Sequence, residues 1–241
     1  MSIERFVSYM EKYNPGYRSR IRGVSEREIA VMEELYQRPL PESYKEFLRV
    51  MGADSGGFQM VGDSDSSYDA VMERVQEKLE DDLWKKYFHG VVIVAVHFFM
   101  GDDVALREVP EGEPPVVGMD VTPYKVFSTS LVNLMMNTAH TQHGMREFAH
   151  HRAWGGRAVE DRGKAARLLE SLGFEFTWYS DMYMGAAARA GSWASVNQWD
   201  GHAMCVRVNT PDARVLEEVG AVVERELGLS SANVYYIREE Q

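Results

Sequence analysis

The sequence predicts an α+β fold organised as two domains. Amphipathic helical patterns alternate with short β-branched and aromatic runs along the 241 residues, which favours helices packed on sheets. A stretch rich in His, Arg and Gly interrupts these patterns, and such a change in composition is typical of a domain boundary. We therefore expect an N-terminal domain over 1–140, a linker over 141–163 and a smaller α+β domain over 164–241.

Two helices separated by a proline step begin the N-terminal domain. Ser25 and Glu28 have the capping-box spacing, in which each side chain binds a free backbone N–H, so a helix begins here. It ends at Arg38, because Pro39 lacks a backbone donor and disfavours the helical conformation in the residue before it. A second helix is predicted over 42–51, where aromatic and aliphatic residues share one side and a glycine follows.

The middle of the chain changes from a loop to a helix and then to strands. The Gly-, Asp- and Ser-rich segment 55–67 predicts a loop or hairpin, and the narrow apolar stripe after it predicts a charged helix. The β-branched run that begins at Val91 predicts the best buried strand of the chain. In order, we expect a helix over 68–87, strands over 91–99, 104–109 and 116–121, and a helix over 128–137 capped by Ser128 or Thr129.

The C-terminal domain is predicted to contain helices on either side of several strands. A glycine ends its first helix, and a Thr-Pro step begins its last one. The runs between them are short and rich in β-branched and aromatic residues, which is typical of strands. In order, we expect a helix over 164–172 ended by Gly173, strands between 174 and 208, a helix over 212–227 capped by Thr210, and a strand over 233–237.

The composition excludes several classes of protein. The net charge is −11 with His neutral, which opposes direct binding to nucleic acid. The single Cys205 excludes a disulfide scaffold. The longest apolar run, Val91 to Val96, is shorter than the roughly 18–20 residues of a membrane span, and the N-terminus lacks the apolar core of a signal peptide. We expect a cytoplasmic protein without a cofactor.

Most of the negative charge lies in one segment of the sequence. Residues 54–120 contain 15 acidic and 5 basic side chains, a net charge of −10. A carboxylate-rich surface steers a basic protein towards it and can occupy a phosphate-binding cleft. The alternative interpretation is a solvated face with turn-forming aspartates. The candidate residues for binding a toxin are Asp54, Asp63, Asp65, Asp69, Asp102 and Asp103.

The segment 23–57 carries the most specific sequence pattern of the chain. It combines an amphipathic helix, a Leu-Pro step, a short helix with the spacing Tyr-x-x-Phe-Leu, and a Gly-rich turn. This pattern resembles the opening of the SUKH superfamily. A hydrophobic strand with a Gly-Asp turn and a closing helix agree with later features of that family, so the resemblance covers roughly 20–138. The matching residues are Leu40, Pro41, Tyr44, Phe47, Leu48, Gly52, Gly56 and Gly57.

The resemblance implies both a fold and a function. It implies an α+β domain whose mixed sheet is flanked by helices and acts as a binding scaffold. Bacterial members look like immunity proteins that each neutralise a toxin, often a nuclease or deaminase, and fungal relatives regulate cell-wall assembly. We therefore expect a bacterial immunity protein that binds a basic protein toxin stoichiometrically and has no catalytic residues. A regulatory scaffold without a toxin partner is a further alternative.

A histidine-rich segment supports a different hypothesis, a metal-dependent hydrolase. If residues 140–151 form a helix, several possible ligands lie on one of its faces. Imidazoles one turn apart, together with a carboxylate, are typical of Zn²⁺ or Ni²⁺ sites. Gly144 interrupts such a helix and no HExxH motif is present, so a polar connector is the competing interpretation. The candidate ligands are His140, His143, Glu147 and His150 or His151.

Two further groups of residues bear on function. Cys205 lies in an alternating strand pattern with His202 on the opposite face, which disfavours a Cys–His catalytic pair. A group of aromatic residues in the C-terminal domain either lines a ligand pocket or belongs to a core or an interface, and the second interpretation is the commoner one for such residues. The group consists of Trp178, Tyr179, Tyr183, Trp193 and Trp199.

Overall fold

The computed structural model describes residues 2–81, 90–97, 103–119, 125–144, 148–156, 163–198 and 204–232. Helices and antiparallel sheets occur along the whole described chain, so the predicted α+β class is confirmed. The chain divides into two compact units, which we call the N-terminal unit, residues 1–139, and the C-terminal unit, residues 140–241.

The helices of the N-terminal unit follow the sequence signals closely. Ser25 and Glu28 form the predicted capping box, in which Ser25 Oγ accepts from the Glu28 backbone N–H at 3.3 Å and Glu28 Oε2 accepts from the Ser25 backbone N–H at 2.7 Å. The helices are α1 (Ile3–Tyr13), α2 (Glu26–Tyr36), α3 (Glu42–Met51), α4 (Tyr68–Glu80) and α5 (Leu131–Ala139), and a 3-10 turn covers Tyr17–Ser19.

Three helix ends differ from the sequence prediction. Helix α2 ends at Tyr36, before the proline step, because Gln37 takes the left-handed conformation with φ 54°. Helix α4 ends at Glu80, and residues 82–87 of the predicted helix lie outside the described residues. Helix α5 begins later than predicted, because Ser130 Oγ, rather than Ser128 or Thr129, accepts from the Asn133 backbone N–H at 3.2 Å.

The strands of the N-terminal unit form two antiparallel sheets. The first pairs β1 (Ile21–Arg22) with β2 (Asp54–Ser55). The second has the order β3-β4-β5-β6-β7, with β3 (Ser64–Asp65), β4 (Val91–His97), β5 (Val104–Arg107), β6 (Val116–Gly118) and β7 (Lys125–Ser128). Every pairing between these described strands is antiparallel, so the expected mixed sheet is wrong for this part of the chain. Strands β4 to β7 follow one another directly, and short connections allow only antiparallel pairing.

The core of the N-terminal unit lies between its larger sheet and its helices. Residues 91–96 of β4 are all buried, as the β-branched run predicts. The first half of β4 forms hydrogen bonds with the last residue of α2 and with the residue before Pro39. The Ile93 backbone N–H donates to Tyr36 Oη at 2.9 Å, and Arg38 Nη2 donates to the Val91 carbonyl at 2.5 Å. The segment that carries the family resemblance therefore packs directly against β4.

The C-terminal unit is built on one six-stranded antiparallel sheet. The sheet has the order β13-β8-β12-β11-β10-β9. Its strands are β8 (His150–Gly156), β9 (Glu175–Phe176), β10 (Met184–Arg189), β11 (Ser192–Gln198), β12 (Met204–Thr210) and β13 (Ser230–Ala232). The helices are α6 (Gly163–Ser171) and α7 (Ala213–Leu227), and a π-helical turn covers His140–Gly144.

Strand β8 comes from residues that were predicted to form a linker. It pairs with β12 on one side and β13 on the other, so it is an interior strand of the sheet. Its first residues, His150 and His151, are exposed, whereas Trp154 is fully buried. The sequence does not indicate this strand, because its first half is polar and only its second half has the apolar character of a core strand. The strand expected over 233–237 lies outside the described residues.

Helices α6 and α7 cover one face of this sheet. Trp154 is the largest side chain of the core between the sheet and these helices, and its Nε1 donates to Glu224 Oε1 on α7 at 3.1 Å. A Cβ atom at Gly220 would lie 2.9 Å from the Trp154 ring. Helix α7 can approach this ring closely because Gly220 has no side chain. Helix α7 is capped by Asp212, whose Oδ1 accepts from the Arg214 backbone N–H at 3.0 Å, rather than by the predicted Thr210.

Candidate binding surface

Three of the predicted carboxylates lie exposed on the N-terminal unit. Asp54 is in β2, and its Oδ1 accepts from the Gly56 backbone N–H at 2.8 Å. Asp63 lies in the turn before β3, and Asp69 lies in the first turn of α4. Within the described part of the chain, none of the three forms an ion pair. Their charges are therefore open to solvent and to a partner.

The basic side chains of α3 are bound to other carboxylates of the same unit. Arg49 Nε lies 2.6 Å from Glu26 Oε1 and Arg49 Nη1 lies 2.8 Å from Glu42 Oε1. The Arg49 guanidinium lowers the pKa of both glutamates below their ordinary value by direct hydrogen bonds. Lys45 Nζ lies 3.1 Å from Glu42 Oε2. These cations are consequently engaged elsewhere and do not neutralise Asp54, Asp63 or Asp69.

Asp65 serves the local fold as well as the surface charge. It is half-buried at the end of β3, and its Oδ1 accepts from the Ser67 backbone N–H at 2.7 Å. Ser67 is the residue before α4. An aspartate that bonds the backbone two residues ahead is a common way to turn a chain into a helix. Only part of this carboxylate is available to a partner.

Asp103 does not belong to the exposed surface. It is 7 % exposed, its Oδ1 accepts from the His97 backbone N–H at 3.2 Å, and its Oδ2 lies 3.9 Å from Arg74 Nε on α4. Burial raises the pKa of this carboxyl, and the charge of Arg74 opposes that effect. Asp103 therefore joins β4 to α4 in the interior, and Asp102 lies outside the described residues.

The histidine-rich segment does not form the single helix face that its spacing predicts. His140 begins the π-helical turn, whereas His150 and His151 lie in the extended strand β8. In the part of the chain that the structure describes, no group of three or more His, Cys, Asp or Glu side chains is arranged to hold a metal ion. Glu147 and the side chain of His143 lie outside that part.

His140 is instead enclosed by aromatic residues of the C-terminal unit. It is 1 % exposed, and its imidazole stacks on the Trp193 ring with centroids 4.3 Å apart. Its Nδ1 lies 3.2 Å from Tyr179 Oη, so the two side chains share a hydrogen bond. Burial lowers the pKa of His140 to about 4, with a smaller opposing effect from the Ala194 backbone. The ring is neutral at pH 7 and belongs to the interior.

The predicted aromatic group divides between the interior and the surface. Tyr179 is buried and Trp193 is half-buried, as expected of core residues. Trp178 is 48 % exposed, and its ring meets the Tyr179 ring edge-on at 5.2 Å with an interplanar angle of 89°. Trp199 lies outside the described residues. The neighbouring Met182 is 58 % exposed and has no signal in the sequence, because methionine alone does not distinguish a core from a surface.

The single thiol lacks the environment of a nucleophile. Cys205 is half-buried in β12, and burial raises its pKa, so the thiol stays protonated at neutral pH. His202 lies outside the described residues.

Among the described residues, no helix combines the length and the apolar character that a membrane span requires.

Comparisons with known proteins give no functional assignment. No family model, curated protein or solved structure matches the chain.

Proposed function

We propose that this protein is a bacterial immunity protein, which neutralises a cognate protein toxin by forming a stoichiometric complex. The observation that carries the proposal is the set of exposed carboxylates on the N-terminal unit, Asp54, Asp63 and Asp69, none of which is in an ion pair with a described residue. The resemblance of residues 23–57 to the SUKH superfamily supports the same function.

The charge of this surface fits a basic partner. Residues 54–120 carry a net charge of −10, and the exposed aspartates lie within that segment. Toxins that act on nucleic acid, such as nucleases and deaminases, need a positively charged cleft for their substrate. A carboxylate-rich surface attracts such a cleft over a distance and speeds the encounter of the two proteins.

Binding rather than catalysis is favoured by the state of the chemically reactive side chains. The Cys205 thiol has a raised pKa and the His140 ring is buried against Trp193. Neither has the exposed, activated geometry of a nucleophile or a general base. We propose a cytoplasmic role without a cofactor and without direct contact to nucleic acid or membranes.

Co-expression tests the proposal directly. Cells that express a candidate toxin, taken from a gene adjacent to this one, are expected to survive when this protein is also produced and to die when it is absent. Survival that does not depend on the protein, or death in its presence, would sink the proposal. Purified toxin and protein are expected to elute as one complex of equal stoichiometry on gel filtration.

A matched pair of charge variants tests the surface itself. The double variant Asp63→Asn/Asp69→Asn removes two exposed carboxylates of the proposed surface. The control Glu34→Gln/Glu217→Gln removes two exposed carboxylates from α2 and α7. Because both variants change the net charge equally, only the location differs. We expect the first to slow association with the toxin about tenfold and the control to leave the rate nearly unchanged.

A further inference from the structure

One methionine of the C-terminal unit is held in solvent. The chain contains 14 methionines, and Met182, in the loop between β9 and β10, is 58 % exposed. The other methionines whose side chains the structure describes are buried, except Met72 on α4, which is half-buried. The thioether of Met182 is therefore the most accessible methionine sulfur in the described part of the chain.

Hydrogen bonds of the backbone fix the turn that carries Met182. The Asp181 backbone N–H donates to the Met184 carbonyl at 2.8 Å, and Asp181 Oδ1 accepts from the backbone N–H groups of Tyr183 and Met184 at 2.8 and 2.9 Å. The Gln198 backbone N–H on β11 donates to the Tyr183 carbonyl at 2.8 Å. None of these bonds uses the Met182 side chain. The turn thus holds Met182 outside, and a chemical change of its thioether leaves these bonds in place.

Met184 is the natural comparison for Met182, because it lies only two residues further along the chain. It begins β10, is 4 % exposed and pairs with Asn197 of β11. A reagent reaches such a buried side chain only when the surrounding structure opens, and the opening of a core strand costs free energy. The two side chains have the same chemistry, so a difference in their reactivity reports their different burial.

The single thiol is the other kind of sulfur that an oxidant can attack. Cys205 is half-buried, and burial raises its pKa. A thiol reacts with a peroxide as its thiolate, so Cys205 becomes less reactive as the pH falls. A thioether has no proton to lose, and its reactivity does not change in this way. Mildly acidic buffer therefore favours reaction at Met182.

We propose that Met182 is a site of reversible oxidation, which takes one oxygen atom from a peroxide and loses it again through a thiol-dependent reductase. In the forward step the sulfur bonds to one peroxide oxygen, the O–O bond breaks and water leaves, so that the sulfur loses two electrons and the peroxide gains them. In the return step two reductase thiols become a disulfide, the S–O bond breaks and the oxygen leaves as water. This inference is independent of the proposed function.

Peptide mass spectrometry after brief treatment with hydrogen peroxide at about pH 6, where little thiolate is present, tests the forward step. We expect Met182 to gain an oxygen atom at least about tenfold faster than Met184, because Met184 must first be exposed by local opening. In urea the two rates should agree within about twofold, because the unfolded chain exposes both side chains. Equal rates in the folded protein, or faster oxidation of Met184, would overturn the proposal.

Two leucine variants assign the oxygen atom within the intact protein. Leucine and methionine have similar volumes, so both variants are expected to fold, and circular dichroism checks this. Met182→Leu should lower the fast uptake of oxygen by one atom per chain. Met72→Leu, at a half-buried position of α4, is the matched control and should leave the fast uptake unchanged. An unchanged fast uptake in Met182→Leu would place the reactive sulfur elsewhere and contradict the proposal.

Reduction of the oxidised protein tests the return step. The probes are the two methionine sulfoxide reductases, one for each epimer of the sulfoxide, with dithiothreitol as the source of electrons. We expect Met182 to return to the thioether and the unfolding temperature to stay the same before oxidation, after it and after reduction. The proposal fails if the sulfoxide persists in the folded protein while the same enzymes reduce a proteolytic peptide that contains it. It also fails if oxidation confined to Met182 lowers the unfolding temperature, because the reaction would then be damage to the fold.

Discussion

The imidazole of His140 lies almost parallel to the indole of Trp193, with ring centroids 4.3 Å apart and planes inclined by 15°. This contact and the hydrogen bond to Tyr179 enclose a histidine whose pKa burial lowers to about 4. An unfolded histidine has a pKa of about 6.5. The folded form therefore binds a proton less readily than the unfolded form over this range.

The stability of the C-terminal unit should depend on pH through His140. Because the folded pKa is lowered, the contribution is fully present above about pH 6.5 and is lost as the pH falls towards about 4. The loss amounts to about 3 kcal/mol over that range. Urea unfolding followed by tryptophan fluorescence at a series of pH values measures it.

Two histidine variants identify the source of this pH dependence. His140→Gln removes the titrating group and should flatten the dependence between pH 6.5 and 4, while lowering stability at pH 7. His151→Gln, at an exposed position of β8, is the matched control for the loss of an imidazole. A His140→Gln profile as steep as that of the wild type would show that another group is responsible.

A variant at Ser25 tests whether the capping box stabilises α2. Ser25→Ala removes the oxygen that accepts from the Glu28 backbone N–H and should lower the free energy of unfolding by about 1 kcal/mol. Ser8→Ala, on the exposed side of α1, is the control and should change it by less than about 0.5 kcal/mol. Equal effects at both positions would mean that the capping box contributes nothing. Thermal unfolding of both variants measures the difference.

The close approach of α3 to the chain before α2 requires a glycine. A Cβ atom at Gly23 would collide with the Arg49 carbonyl oxygen, and the adjacent Val24 backbone N–H donates to the Leu48 carbonyl at 2.9 Å. Because backbone cannot move aside cheaply, Gly23→Ala should destabilise the N-terminal unit by about 3 kcal/mol.

Gly57→Ala is the control for this glycine. Gly57 has φ 81° and open space around its Cα, so an added methyl meets only the left-handed conformation, which costs about 1 kcal/mol. The order of the two effects is the prediction, and denaturant unfolding measures it. Equal stability losses would contradict the collision.

Local patterns were sufficient to predict much of this fold. The capping box of Ser25, the proline step after α2 and the β-branched run of β4 act within a few residues, so they can be read directly from the sequence. Strand β8 could not be predicted, because its polar first half becomes a strand only by pairing with β12 and β13. The His140–Trp193 stack joins distant residues, and no local period indicates it.

The candidate surface was predicted in part, for a similar reason. Charge and turn-forming residues correctly suggested that Asp54, Asp63 and Asp69 are exposed. The same signals wrongly indicated that Asp103 is exposed, because its burial depends on contacts between α4 and β4, which are distant in sequence. Exposure of Met182 depends on the path of the loop between β9 and β10 and likewise has no local signal.

Variants of Asp63 and Asp103 are expected to have opposite effects, one on the association rate and the other on the free energy of unfolding. Asp103→Ala removes the acceptor of the His97 backbone N–H inside the unit, so it should lower the free energy of unfolding by about 2 kcal/mol. At a temperature where this variant is folded, its association rate with the toxin should equal that of the wild type. Asp63→Ala, in an exposed turn, should leave stability within about 0.5 kcal/mol.

Salt separates the two roles, because only an exposed charge acts through solvent. Asp63→Ala should slow association at low ionic strength and reduce its dependence on salt, since the Debye length shrinks from about 30 Å at 0.01 M to about 8 Å at 0.15 M. Asp103→Ala should retain the full salt dependence. Stopped-flow association at several salt concentrations, with thermal unfolding of the same samples, measures both properties. If Asp103→Ala slowed association as much as Asp63→Ala, the exposed carboxylates would have no special part in the encounter.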